Sequence, residues 1–468
     1  MEVKRQKKQV QTNLTFFVEG KGEPLTTTER VETAMASHNT ESPAGNEIRT
    51  ERLMESVVDE TNLLEALKRV IRNKGSPGID GMTVNELPTY IHSNWTQIRN
   101  DLLNGTYKPQ AVSRLEIPKP SGGVRKLGIP TVLDRLVQQM LLQVLQKGLD
   151  PSFSEHSYGF RPGRSAHHAV AQAQEYIKEG HEWVVDIDLA KFFDRVNHDI
   201  LMGLLSRRIT DKRVLKLVRA FLNAGVMENG LFVSTNEGTP QGGPLSPLLS
   251  NIVLDVLDRE LEKRCHKFVR YADDCNIYVK SKRAGDRVMD NIIRFLERKL
   301  KLPVNQKKSV VRRANDGKYL GFSFSVGEHV KRRISPQALK LFKTKVRQIT
   351  RRSRGISLNM VVRELSGYLR GWLGYFGFCE TPSVLSNLDS WIRHRLRCFI
   401  WKQWKTPKNR RKELRRLGVI GKNLKTGSSG KGPWRISRSK AVQVALPNKF
   451  FDQAGLYRLN PSRPRQTA

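Results

Sequence analysis

Cysteine is scarce: four residues, Cys265, Cys275, Cys379 and Cys398, stand among 468, with no C-x-x-C pair and no histidine at zinc-finger spacing. That excludes a disulfide framework and a structural zinc site, and the four read as reduced thiols. Long apolar runs are missing as well. No stretch would span a bilayer and the first thirty residues lack the hydrophobic core of a signal peptide, so the expectation is a soluble, intracellular chain. Acid is the third shortage, 45 Asp and Glu against 82 Lys and Arg, for a formal net charge of +37. Each Lys or Arg placed at a phosphate releases a counterion, so nucleic acid is the first partner implied.

What is present changes character along the chain. Residues 1–52 are polar, with Thr26-Thr27-Thr28 and a Ser-, Asn-, Thr- and Gly-rich stretch from His38 to Asn46, which favours a disordered extension. Leu63, Leu67 and Val70 then recur at helical spacing behind Asn62, read as the N-cap. Short β-rich runs at Trp183–Ile187, Phe268–Ala272 and Asn276–Val279 alternate with helical patterns through 53–330, an α+β arrangement. Ser335-Pro336 opens a helical region, 331–400. Its three amphipathic stripes are carried by Leu339, Phe342, Val346 and Ile349, by Val361, Leu365, Tyr368 and Trp372, and by Leu385, Leu388, Ile392, Leu396 and Phe399. The last stretch, 401–468, is dense in Lys, Arg, Gly and Ser and is expected to contact nucleic acid.

Two acidic sites need a chemical reason. In Val184-Val185-Asp186-Ile187-Asp188 the strand period of two places Asp186 and Asp188 on one face. In Tyr271-Ala272-Asp273-Asp274, between apolar runs, a tight turn would present adjacent carboxylates at its tip. An Asp-Asp pair alone is common in solvated turns. Together the two sites can cage hard divalent ions, and two such ions roughly 3.5–4 Å apart stabilise the attacking and leaving oxygens of phosphoryl transfer.

The order of these motifs resembles the reverse transcriptases encoded by bacterial group II introns, in a compact form without an endonuclease domain. Tyr-Ala-Asp-Asp follows Asp186-Ile187-Asp188-Leu189-Ala190-Lys191-Phe192-Phe193-Asp194, as in the family's palm, and Asn73-Lys74-Gly75-Ser76-Pro77-Gly78-Ile79-Asp80-Gly81 precedes the fingers. Gly367-Tyr368-Leu369-Arg370-Gly371-Trp372 is similar to the family's thumb and maturase region. The resemblance implies right-hand-like fingers and palm with an antiparallel palm sheet over 53–330, a helical thumb/maturase domain over 331–400, and a basic nucleic-acid-binding C-terminal region.

By the same resemblance Asp188, Asp273 and Asp274 are the catalytic metal ligands for two Mg²⁺ ions, while Asp186 has no assigned role. Phe193 matches a bulky residue that excludes ribonucleotides by clashing with the 2′-hydroxyl, core packing being the alternative. Gln241, in Pro240-Gln241-Gly242, would face the incoming nucleotide. Lys119 and Arg125, on a glycine-turned hairpin from Ile117 to Pro130, would bind the triphosphate. Lys308 would act as acid toward pyrophosphate, and Arg161 and Arg164 would hold template or RNA. The implied partners are the intron RNA, an RNA template with a DNA primer, target DNA and deoxynucleoside triphosphates, and the implied setting is the bacterial cytoplasm or nucleoid. The expected activity is RNA-directed DNA synthesis with maturase assistance to splicing and retrohoming; a splicing-only maturase and a reverse transcriptase recruited to defence or repair are the alternatives.

Overall fold

The computed structural model describes residues 52–118, 124–228, 231–233, 237–239 and 242–460. The 1–52 extension falls outside the described residues except for Arg52. The chain divides into two compact units, one of residues up to 165 with 186–277 and 286–310, the other of residues 166–185, 278–285 and 311 onward. Among the described residues no helix is long and apolar enough to cross a membrane.

The first unit opens with helices α1 (Leu53–Val57), α2 (Glu60–Asn73) and α3 (Leu87–Leu103). The N-cap of α2 is Asp59 rather than Asn62: the Asp59 carboxylate accepts from the amides of Thr61 and Asn62. Asn62 is drawn into the helix because its side-chain amide donates to the carbonyls of Val57 and Met140, a contact the local pattern does not show. Strands β1 (Val112–Pro118) and β2 (Val124–Ile129) form the expected antiparallel hairpin, with Ile117 opposite Arg125. Helix α4 (Val132–Leu149) is capped by Thr131 and buries Leu136, Val137, Met140 and Leu141.

Helix α5 (Ala166–Lys178) precedes β3 (Trp183–Ile187). After it come α6 (Phe192–Arg195), α7 (His198–Ser206), α8 (Lys212–Asn223), and short strands β4 (Val226–Glu228) and β5 (Leu231–Val233), giving a sheet ordered β2-β1-β4-β5. Helix α9 (Ser246–Lys263) has Pro247 in its first turn and buries Leu248, Leu249, Ile252 and Val253. Strands β6 (Lys267–Tyr271) and β7 (Asp274–Val279) and, past α10 (Lys282–Phe295), β8 (Val310–Arg313) complete a second sheet ordered β6-β7-β3-β8. This sheet carries both acidic sites.

The second unit is built on a helical core. After strands β9 (Phe322–Phe324) and β10 (Arg332–Ile334), the three expected helices are α11 (Pro336–Ile349), α12 (Leu358–Phe376) and α13 (Pro382–Gln403). Ser335 Oγ caps α11 by accepting from Ala338 N at 3.2 Å. The expected boundary at 401 is corrected: α13 runs through it, with Trp401 and Trp404 buried. Leu414 of α14 (Pro407–Arg416), Val419, Ile436, Val442 and Phe451 join the same core. Apolar residues spaced along a basic stretch thus fold it onto the bundle while Lys408, Arg411, Lys412 and Arg415 stay exposed.

Candidate active site

Strand β3 ends one residue before Asp188, and the chain there is pinned from both sides. The Asp188 amide donates to Ser309 Oγ at 3.0 Å, the Asn305 amide to the Asp188 carbonyl at 2.8 Å, and the Ala190 amide to the Pro303 carbonyl at 3.0 Å. This fixes the backbone while leaving the carboxylate partly open. Lys308 Nζ lies 3.5 Å from Asp188 Oδ2, with the lysine side chain 67% exposed. So exposed a pair is weak, and Asp188 can exchange this cation for another.

The second acidic site sits in the connection between β6 and β7, which has only two residues, Ala272 and Asp273. A link that short permits only antiparallel pairing. Ala272 takes a φ of +57°, the left-handed conformation that such mirror-image turns need. Asp273 is therefore the turn residue, and Asp274, expected beside it at the tip, is instead the first residue of β7. Since β7 and β3 are neighbours in the sheet, the two acidic sites lie at the ends of adjacent strands. The Cys275 thiol senses the clustering. Burial is the main cause that pushes it far above its usual range; Asp258 adds to the rise, Arg270 opposes it, and Asp186 and Asp274 add further.

The donor set is all carboxylate oxygen, which suits a hard divalent cation. Among the described residues no three His, Cys, Asp or Glu side chains are gathered as a metal-holding group. A cation held at these strand ends would have to draw the mutually repelling carboxylates together.

Phe193 lies in the one-turn helix α6, half-buried, its ring edge-on to the buried Phe192 with centroids 5.2 Å apart. The glycine-rich loop packs on this turn. Thr239 N donates to the Phe193 carbonyl at 2.7 Å and Gly238 N to the Val196 carbonyl at 2.8 Å. Gly238 has φ +94°, and a Cβ there would stand 3.0 Å from the Phe193 oxygen. On its other side the loop meets β2: a Cβ on Gly242, φ +131°, would lie 2.3 Å from the Gly128 oxygen. Backbone approach this close requires glycine. The structure thus brings the Phe193 turn, the glycine-rich loop and strand β2 together. Gln241 and Lys119 lie outside the described residues, as does the side chain of Arg125.

Arg161, expected to hold template or RNA, lies inside the fold. Its side chain is buried, paired with Asp150 at 3.0 Å, and it donates to the carbonyls of Ser154, Ser157 and Asp150. A guanidinium so enclosed ties the 150–161 loop together. Arg164 is partly exposed, stacks over Tyr158 at 5.6 Å and donates to the Glu155 carbonyl at 3.1 Å. Sequence reasoning missed Arg270, which is fully buried in β6 beside the acidic turn. The available signal was an arginine inside the otherwise apolar run Phe268-Val269-Arg270-Tyr271.

Comparison with known proteins gives the same reading. Residues 117–324 match the family described as reverse transcriptase (RNA-dependent DNA polymerase), and residues 339–418 match the group II intron maturase-specific domain. The chain is 33% identical to protein YkfC of Escherichia coli (strain K12), over 58% of this chain and 81% of that protein. It is 29% identical to the group II intron-encoded protein LtrA of Lactococcus lactis subsp. cremoris, over 56% of this chain and 54% of LtrA. It is also 29% identical to the putative COX1/OXI3 intron 2 protein of Saccharomyces cerevisiae, over 60% of this chain and 40% of that protein. The chain thus spans about half the length of LtrA and less of the yeast protein. With a reverse transcriptase domain followed by a maturase-specific domain, and acidic sites on adjacent palm strands, the chain belongs to the group II intron reverse transcriptase/maturase family.

Proposed function

We propose that this chain copies RNA into DNA by nucleotidyl transfer and binds its intron RNA as a maturase, serving splicing and retrohoming. The observation that carries this reading is that Asp188, just past the end of β3, and the Asp273-Asp274 pair, at the start of β7, stand at the ends of neighbouring strands within the segment that matches reverse transcriptases. Asp188, Asp273 and Asp274 would hold two Mg²⁺ ions. Divalent ions at such carboxylates activate the primer 3′-oxygen and stabilise the departing pyrophosphate. Phe193, its carbonyl held by Thr239 and its ring edge-on to Phe192, would present a ring against which a 2′-hydroxyl clashes. Gln241, two residues after Thr239 in the sequence, would face the incoming nucleotide.

Lys308, close to Asp188 and exposed, would give a proton to the departing pyrophosphate as the bond from the α-phosphorus to it breaks and the new one forms. Lys119 and Arg125 would supply charge for the triphosphate. Arg164 remains the candidate for template contact. The exposed Lys408, Arg411, Lys412 and Arg415 on α14 offer phosphate contacts for intron RNA or target DNA.

The test is incorporation of labelled deoxynucleotides on an RNA template with a DNA primer, with Mg²⁺ or with excess chelator. Incorporation that chelator abolishes and Mg²⁺ restores is the expected result. Tight RNA binding with no incorporation would leave a splicing-only maturase.

A further inference from the structure

The guanidinium of Arg270 has five N–H donors and all five are used. Nε and Nη2 grip Asp258 on α9 at 2.7 and 2.5 Å, and Nη2 also donates to Ser157 Oγ at 2.7 Å. Nη1 donates to Asn251 Oδ1 at 3.0 Å and to the Ala272 carbonyl at 3.0 Å. Arg270 and Asp258 are both wholly buried. Removing two charges from water is costly, and apolar side chains of similar volume often stabilise a fold as well. Stability alone therefore does not explain this pair.

The fifth bond points to the reason. The Ala272 carbonyl belongs to the peptide that leads into Asp273, and Ala272 is a non-glycine residue in left-handed conformation, which is disfavoured without support. Fixing that carbonyl fixes the plane from which Asp273 projects. A second contact presses on the same residue from outside the hairpin. Gly159 packs so closely that a Cβ there would fall 2.2 Å from the Ala272 nitrogen. Its own carbonyl accepts from Asn251 Nδ2 at 2.9 Å. The flanking backbone is laced to β6, with Tyr158 N donating to the Arg270 carbonyl and Arg270 N to the His156 carbonyl, each at 2.9 Å.

We infer that Arg270, with Gly159, is a positioning residue: it holds the Ala272-Asp273 turn so that Asp273 and Asp274 can take a divalent cation. The Ser157–Gly159 segment then serves the acidic turn rather than the template. This rests on the proposed role of the carboxylates, and the test separates the two by measuring cation binding and turn protection apart from polymerisation.

The variants are Arg270→Lys, which keeps a charge opposite Asp258 but lacks the fork that reaches Ala272, and Gly159→Ala, which displaces Ala272 without touching the ion pair. Leu63→Ala, in the core of the same unit and away from the hairpin, is the control for simple destabilisation. Full-length protein is examined for Mn²⁺ binding by electron paramagnetic resonance, for hydrogen exchange at residues 271–275, and for primer extension. Both hairpin variants should speed exchange at the turn and weaken Mn²⁺ binding about tenfold. They should lower kcat ten- to a hundredfold, the scale of a misplacement near 1 Å, with KM for the deoxynucleotide and RNA affinity changed less than about threefold. Leu63→Ala should show none of this split. Normal Mn²⁺ binding and turn protection in either folded variant would overturn the inference, as would changes in Leu63→Ala that match them. If wild type binds Mn²⁺ through the turn yet never extends a primer, the polymerase reading fails while the positioning role stands.

Discussion

Half-buried Phe193 is held through its own backbone, Thr239 N donating to its carbonyl, with its ring edge-on to Phe192. Phe193→Ala should therefore remove bulk without unfolding the loop, and raise ribonucleotide use relative to deoxynucleotide use by about tenfold or more, a discrimination of roughly 1.4 kcal/mol. Competition between matched ribo- and deoxynucleotides in primer extension measures this. An unchanged preference would return Phe193 to core packing. At this scale the strand leading to Asp188 and the turn at Asp273 were legible because strand period and turn chemistry are local. Arg161 and Arg270 were not. Each looks like another cation in a basic chain, and their partners, Asp150 for the one and Asp258, Asn251 and Ser157 for the other, become neighbours only on folding.

Elements show the same division between local and distant causes. The three helices α11 to α13 were legible from their stripes, and the β1/β2 hairpin from its glycine turn. The start of α2 was displaced from Asn62 to Asp59 because the tertiary acceptors Val57 and Met140 capture the Asn62 amide. Asp59→Ala should destabilise the first unit by about 1 kcal/mol, the usual value of such a cap. The Asp59 carboxyl is held below its ordinary range, first by the Thr61 hydroxyl and also by the amides of Thr61 and Asn62, against a smaller opposing effect of burial. A carboxyl depressed in the folded state stabilises above its unfolded pKa, near 4, and loses that contribution as pH falls through the folded value. Denaturant midpoints of wild type and variant should accordingly differ at pH 7 and converge toward pH 3. A constant difference across that range would show that the cap works without its charge.

At the scale of the molecule, charge and core meet in the C-terminal region. Composition alone separates 401–468 as a basic stretch, yet Leu414, Val419, Ile436, Val442 and Phe451 bind it to the helical bundle, and the Leu459 and Asn460 amides donate to Asp389 at 3.0 and 3.1 Å. Its cations are thereby displayed on a rigid support. With a formal charge of +37, RNA affinity should fall steeply with salt, on the order of a hundredfold or more between about 50 and 200 mM. Filter binding across that range tests it, and a flat dependence would refute an interface built on phosphate contacts.

The most direct check of the polymerase site compares wild type with Asp273→Ala in Mg²⁺-dependent extension of a DNA primer on an RNA template, with intron RNA affinity measured on the same preparations. The expected result is extension by wild type, at least a thousandfold less by the variant, and RNA affinities within about twofold of each other. Undiminished extension by Asp273→Ala would contradict the assignment of the acidic turn as the catalytic centre.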